Sequence, residues 1–151
     1  MYQTIVLAFD GSREGRAALS EGIELAALCD AGVHLVSVME VAKSCAFTQG
    51  IYALEEIANS EMSDLTGLVD EGLEQIRNRG IREPNGHIAL GQPVEQISHL
   101  ARKIQADLIV VGHKHRSPLT RWWQGSLSRR LIDEANCSVL VALHPEDDQR
   151  G

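Results

Sequence analysis

Hydrophobic residues along the chain group into five short runs, and four of these runs are rich in Val, Ile or Leu without polar alternation. Strands that helices cover on both faces have this pattern, because neither face of such a strand meets water. The third run is the weakest indication of a strand. The runs predict five strands, at Thr4–Phe9, Val33–Met39, His87–Leu90, Asp107–Val111 and Ser138–Leu143.

Between these runs, apolar residues recur at intervals of three and four, which is the spacing of one helix face. Each stripe indicates a helix that packs one face on the core and leaves a polar face in solvent. The resulting order, βαβαβαβαβ, predicts an α/β domain with a parallel sheet, right-handed crossovers and helices on its faces. The stripes run over Ala18–Ala26, Leu54–Ile76, Val94–Ile104 and Leu127–Ala135.

Length and composition agree with a single globular domain. The chain has 151 residues, of which 44% are hydrophobic and 23% are charged, and a chain of this size can bury most of its apolar surface. We expect one domain over residues 1–144 and a polar tail over 145–151. No apolar run approaches the roughly 20 residues that span a bilayer, and the first residues lack the features of a secretory signal, so we expect no membrane association.

Net charge indicates which partners the protein can bind, and cysteine content indicates its cellular compartment. The net charge of −7, from 14 basic and 21 acidic residues, argues against binding to nucleic acid, which an acidic chain repels on average. The three cysteines, Cys29, Cys45 and Cys137, are far apart and form no C-x-x-C pair. This usage predicts reduced thiols in a cytoplasmic protein rather than disulfides or a zinc site.

The segment Phe9–Ser12 follows the first predicted strand and is the first candidate site. Ligands of open parallel sheets bind at the carboxyl ends of strands, near the point where the strand order reverses. Asp10 would lie at the mouth of this crevice, and Ser12 could cap the next helix. The alternative is a structural turn in which Asp10 has no ligand to bind.

The segment from Gly112 to Ser126 follows the fourth predicted strand and is the second candidate site. The sequence from Leu108 to Ile132 contains no Asp or Glu, although it holds five of the 14 basic residues. Glycines, a hydroxyl and the start of a helix at Gly125-Ser126 add free amides and a positive dipole end, which favour a bound phosphate. The alternative is a solvated basic loop.

These segments together resemble the universal stress protein family over nearly the whole chain. The similarity rests on the opening Ile5–Ser12, on Leu90–Ile97, on Ala106–Gly112 and on the closing Asn136–Val141. The nucleotide motif of that family is G-x₂-G-x₉-G-[ST]. Gly112, Gly125 and Ser126 occupy three of its four defined positions, and His115 stands at the second glycine.

The resemblance implies a Rossmann-like five-stranded sheet in the order 3-2-1-4-5 and a site for ATP or a related adenine nucleotide. Asp10 would lie near the ribose and would meet Mg²⁺ only through the nucleotide, while Val38 would contact adenine through its backbone. His115 would either block the phosphates or, when protonated, help to hold them. The residues expected at the cofactor are Asp10, Gly11, Ser12, Val38, Gly112, His115, Gly125, Ser126 and Leu127.

The function implied by the resemblance is that of a small cytoplasmic regulatory module in stress response. Family topology leaves Ser138–Leu143 at a sheet edge, where an apolar strand invites pairing, so we expect an antiparallel homodimer through this strand. The sequence leaves two alternatives open. One is a nucleotide-free interaction protein whose site His115 closes, and the other is a slow ATPase, although no hydrolytic machinery is recognisable.

Overall fold

Strands and helices alternate along the described residues in the predicted order. The structure is a computed structural model that describes residues 1–40, 50–113 and 127–143. The predicted tail over 145–151 lies outside the described residues. The strands are β1 (Thr4–Ala8), β2 (Gly32–Met39), β3 (Asn85–Leu90), β4 (Leu108–His113) and β5 (Ser138–Leu143), and the helices are α1 (Arg13–Cys29), α2 (Gly50–Asn78), α3 (Pro93–Lys103) and α4 (Leu127–Glu134).

The described strands form one sheet in the order β3-β2-β1-β4-β5, and every neighbouring pair is parallel. The predicted fold class and strand order are therefore confirmed. Because each helix joins two parallel strands, each must run back along the sheet and begin at the edge where the strands end. We call this edge, which holds the ends of β1 to β5 and the starts of α1 to α4, the carboxyl edge.

Two hydrophobic clusters cover the two faces of the sheet. Alternate residues of the central strand β1 divide between them, as the pleat requires. Helices α1 and α2 pack on one face, and α3 and α4 pack on the other. The first cluster contains Ile5, Leu7, Leu19, Ile23, Leu35 and Ile76, and the second contains Val6, Val36, Val94, Ile97, Ile109 and Leu131.

Among the helices of the described residues, none combines the length and the apolar composition that a membrane crossing needs. Cys29 and Cys137 carry free thiols, and burial, with the nearby charge of Asp107, raises the pKa of the Cys137 thiol. Cys45 lies outside the described residues. The Cys137 thiol is therefore less easily ionised than an ordinary cysteine.

Strand β4 extends two residues further than the sequence predicts. The hydrophobic pattern placed the strand end at Val111 and Gly112 beyond it. In the structure Gly112 pairs with Ala142 and His113 pairs with Leu143, so that part of the prediction is wrong. Pairing with β5 holds these two residues in the strand, although neither has the aliphatic side chain that marks the rest of β4.

Gly112 also sets the distance between β4 and helix α1. A Cβ atom at this position would lie 2.3 Å from the carbonyl oxygen of Glu14 and 3.0 Å from the backbone nitrogen of Gly15. Backbone atoms of a capped helix cannot give way as a flexible side chain can. The missing side chain at Gly112 therefore allows the first turn of α1 to lie directly against β4.

We predict that Gly112→Ala lowers the free energy of unfolding by about 1–3 kcal/mol, because the added methyl group must push α1 away from β4. Gly67→Ala is the matched control. Gly67 lies in the exposed part of α2, where an added Cβ meets nothing within 4 Å, so this change should raise the free energy of unfolding by about 0.5–1 kcal/mol. Urea unfolding of the three proteins measures both effects, and equal stabilities for the two variants would contradict the prediction.

Candidate functional site

The carboxyl edge is uneven, because β1 ends before both of its neighbours. Ala8, the last residue of β1, pairs with Val36, and the N–H of Phe9 still donates to the Val36 carbonyl at 3.0 Å. Beyond this level β2 continues to Met39 and β4 continues to His113. A notch therefore opens above the end of β1, between the last residues of β2 and β4. The strand order reverses here, which is where open α/β sheets bind their ligands.

Asp10, Gly11 and Ser12 form the turn that leads from the floor of the notch into α1. The backbone N–H and the hydroxyl of Ser12 donate to Asp10 Oδ1 at 3.0 and 2.5 Å. Ser12 Oγ in turn accepts the N–H of Gly15 at 2.9 Å, so Ser12 is the N-cap of α1, as the sequence predicts. Gly11 has φ +80°, a conformation that favours glycine. The Asp10 carboxylate is thus fixed in place by its own turn.

Helix α2 covers the outer side of this turn. A Cβ atom at Gly11 would lie 3.0 Å from Leu68 Cδ2, so the two residues are in close contact. Arg16 forms an ion pair with Glu71 of α2, and its guanidinium lies 5.5 Å from the centre of the Phe9 ring. Exposed ion pairs add little stability. The main effect of these contacts is to position α2 beside the turn.

Val38 lies in the part of β2 that rises beyond the end of β1. Its side chain is buried, with 3% exposed, and belongs to the cluster under α3 and α4. In a parallel ladder, successive residues direct their backbone N–H and C=O groups alternately to the two neighbouring strands. The Val36 carbonyl accepts from Phe9 of β1, and the Met39 carbonyl accepts from Gly91 at the end of β3. The backbone groups of Val38 therefore point to the β1 side, into the notch.

Some predicted site residues lie at the notch, others lie elsewhere in the described structure, and the rest lie outside the described residues. The notch brings together Asp10, Gly11, Ser12 and Val38. Gly112 lies in β4, and because Asp107 N–H donates to Thr4 of β1, the same alternation directs the backbone groups of Gly112 towards β5. Leu127 is the first residue of α4. His115, Gly125 and Ser126 lie outside the described residues.

Sequence reasoning missed two residues next to the site. Glu14 is only 4% exposed although it is an acidic residue, and it lies in the first turn of α1, where the helix dipole favours acidic side chains. An acidic residue in a first helical turn is a signal that could have identified it. Leu68 carries no such signal, since its contact with Gly11 depends on how α2 packs.

This chain is similar to known proteins in both sequence and fold. A profile of the universal stress protein family matches residues 1–142. A universal stress protein of Methanocaldococcus jannaschii is 31% identical, over 98% of this chain and 86% of that protein. A protein solved as a test case of structural genomics superposes with a TM-score of 0.81 at 22% identity, covering 95% of this chain and 97% of the other.

Other solved structures share the fold. The universal stress protein UspA from Lactobacillus plantarum superposes with a TM-score of 0.77 at 21% identity, covering 93% of this chain and 97% of that one. Solved proteins of this family include complexes with cAMP, dAMP and AMP. At these identities the structures establish the fold alone, whereas the match over residues 1–142 covers nearly the whole chain. The chain therefore belongs to the universal stress protein family.

Proposed function

We propose that this protein binds ATP or a related adenine nucleotide in the notch and acts as a regulatory module in the stress response. The observation that carries the proposal is the direction of the Val38 backbone groups, which point into the notch beside the Asp10 turn. Relatives of the same fold bind cAMP, dAMP and AMP, and these ligands have the adenine base in common. The shared base is therefore the part of the ligand that the fold is best suited to select.

The proposed contact between the Val38 backbone and the base has a fixed order of hydrogen-bond donor and acceptor. A backbone N–H and a backbone C=O of one residue offer one donor and one acceptor on the same side. Adenine presents an acceptor at N1 beside a donor at N6, whereas guanine presents a donor at N1 beside an acceptor at O6. One backbone segment in a fixed orientation can satisfy one of these patterns well but leaves the other unpaired, which costs binding free energy.

The proposed phosphate contacts lie at helix starts. Helices α1 and α4 both begin at the carboxyl edge, and α4 begins at Leu127, directly after Gly125 and Ser126. Helix N-termini favour anions through their free N–H groups and dipoles. In this proposal Gly125 and Ser126 hold phosphate and His115 borders it. Gly112 acts by packing, because its own backbone faces β5.

Asp10 fits the ribose and an accompanying magnesium ion. A carboxylate has acceptor capacity at both oxygens, so Asp10 can accept a ribose hydroxyl in addition to the two hydrogen bonds from Ser12. Magnesium prefers oxygen ligands and usually binds through one or two carboxylates together with phosphates. Asp10 would therefore meet the ion only when a nucleotide brings it. The motif assigns no residue to activate water, so we propose binding rather than hydrolysis.

We also propose that two copies pair antiparallel through β5. This strand lies at the edge of the sheet and pairs on one side with β4. Its residues Val139, Leu140 and Val141 are half-buried, and Leu143 is 54% exposed. An apolar edge strand has backbone groups that a second copy can pair with, and a twofold axis closes such an assembly. A cytoplasmic location completes the proposal and agrees with the free thiols.

The nucleotide proposal predicts that calorimetry detects AMP or Mg–ATP binding with a Kd below about 100 μM. GMP should bind at least about tenfold more weakly, because its base reverses the donor and acceptor pattern that faces Val38. No heat with either adenine nucleotide at millimolar concentration would contradict the proposal. If binding then appeared in His115→Gly, closure of the site by His115 would be the better explanation.

A pair of glycine variants tests the position of the site. Gly11 and Gly80 both have positive φ, at +80° and +94°, so alanine strains the backbone at either position. Gly11 lies at the notch, whereas Gly80 follows the end of α2. We expect Gly11→Ala to weaken AMP binding at least about tenfold, or about 1.4 kcal/mol, while Gly80→Ala leaves the Kd unchanged. Equal affinities for the two variants would place the site elsewhere.

The dimer proposal predicts that light scattering coupled to gel filtration gives twice the chain mass at tens of micromolar protein. Leu143→Lys should shift the equilibrium towards monomer, because lysine on an edge strand opposes pairing. Leu28→Lys is the control, since Leu28 is 82% exposed on α1 and is not part of the edge strand. A wild-type monomer under these conditions, or a dimer that Leu143→Lys does not weaken, would exclude this interface.

A further inference from the structure

Two histidines from neighbouring strands lie side by side on the face that α3 covers. His34 is near the start of β2 and His87 is in the edge strand β3. His34 Nδ1 lies 3.0 Å from His87 Nε2, the ring centres are 5.2 Å apart, and the ring planes differ by 18°. The distance between the two ring centres is close to the N···N distance plus the radii of the two rings. The rings therefore meet mainly edge to edge, which is the geometry of a hydrogen bond between the two nitrogens.

The surroundings of this pair contain few other charges. Strands β1, β2 and β3 carry no ionisable side chain apart from His34 and His87. Helix α3, which packs on the same face, carries Glu95 in its first turn and His99, Arg102 and Lys103 in its second half. Lys103 is the one of these whose charge acts on His87. The pair therefore lies beside a positive charge.

Burial disfavours protonation of both rings. It lowers the pKa of His34 below the ordinary 6.5, and the neighbouring His87 lowers it further. Burial also lowers the pKa of His87, with a further contribution from Lys103. Both imidazoles are therefore neutral at neutral pH, and one proton is shared between the two facing nitrogens.

The hydrogen bond survives one added proton but not two. When one ring is protonated, its N–H still donates to the lone pair of the other ring. When both rings are protonated, each facing nitrogen carries a hydrogen, so neither can accept, and two cations stand beside Lys103. Within the described ranges no third histidine, cysteine or carboxylate joins the pair. Two imidazole nitrogens alone do not complete a metal site, so a proton is the ligand that this geometry suits.

We propose that the His34–His87 hydrogen bond is a pH-sensitive latch that fastens the edge strand β3 to β2 and opens when both rings are protonated. An edge strand depends on its single neighbour in the sheet, so the loss of a cross-strand bond loosens it more than it would a central strand. The latch is independent of the nucleotide proposal.

The sign of the pH effect follows from linkage. A native state that holds histidines below their unfolded pKa binds fewer protons than the unfolded chain. The stabilisation is therefore complete above pH about 6.5 and is lost as the pH falls below that value. Each unit by which a folded pKa is depressed raises the unfolding equilibrium constant about tenfold in acid.

The test compares wild type with the double variant His34→Gln/His87→Gln by urea unfolding at pH 7 and pH 5. Glutamine keeps a donor and an acceptor but does not titrate in this range. His99→Gln is the control, because His99 is exposed on α3. We expect the unfolding constant of wild type to rise at least about tenfold more than that of the double variant, and His99→Gln to follow wild type. Identical pH dependence in wild type and the double variant would overturn the proposal.

Nuclear magnetic resonance of the wild-type protein gives a second test that needs no variant. The imidazole resonances of His34 and His87 should titrate in two separate steps, both with a pKa below the ordinary 6.5. Amide protection factors in β3 should fall at pH 5 while those in β1 persist. Two imidazoles that titrate in a single step at the ordinary pKa of 6.5, or β3 amides whose protection does not depend on pH, would overturn the proposal.

Discussion

The contact between the first turn of α1 and strand β4 is the constraint on which the notch depends. Gly112 permits this contact, because a side chain there would meet the carbonyl of Glu14. The same first turn is capped by Ser12, and Ser12 is held by Asp10. The position of the carboxylate at the floor of the notch therefore follows from how closely a helix approaches a strand elsewhere in the sheet.

Hydrophobic periodicity predicted most of the fold, because the sheet is covered on both faces. Four strands are apolar along their length for this reason. The exception is β3, whose first two residues, Asn85 and Gly86, were not predicted to be in a strand. Both have low strand propensity, and they pair opposite His34 and Leu35. Pairing that depends on a neighbouring strand cannot be seen in the pattern of one segment.

The candidate site was predictable where it consists of local structure. The Asp10–Ser12 turn contains its own cap and its own glycine, so the sequence of three residues defines it. Contacts between distant segments were not predictable in this way. Gly112 occupies a motif position in the sequence, yet a side chain there would first meet the backbone of Glu14. His34 meets His87 only because β2 and β3 are neighbours. Such contacts are decided by packing, which a single sequence does not display.

The acidic balance of the chain does not argue against an anionic ligand at the notch. Charges separated by more than about 10 Å are largely screened at 0.1 M salt, so the net charge of −7 matters less than the groups close to the ligand. The segment from Leu108 to Ile132 has five basic and no acidic residues. Within this segment β4 ends, and α4 begins, at the carboxyl edge. Five of the 14 basic residues thus fall in one stretch that no acidic residue offsets, and that stretch contains the start of α4, where a helix favours anions.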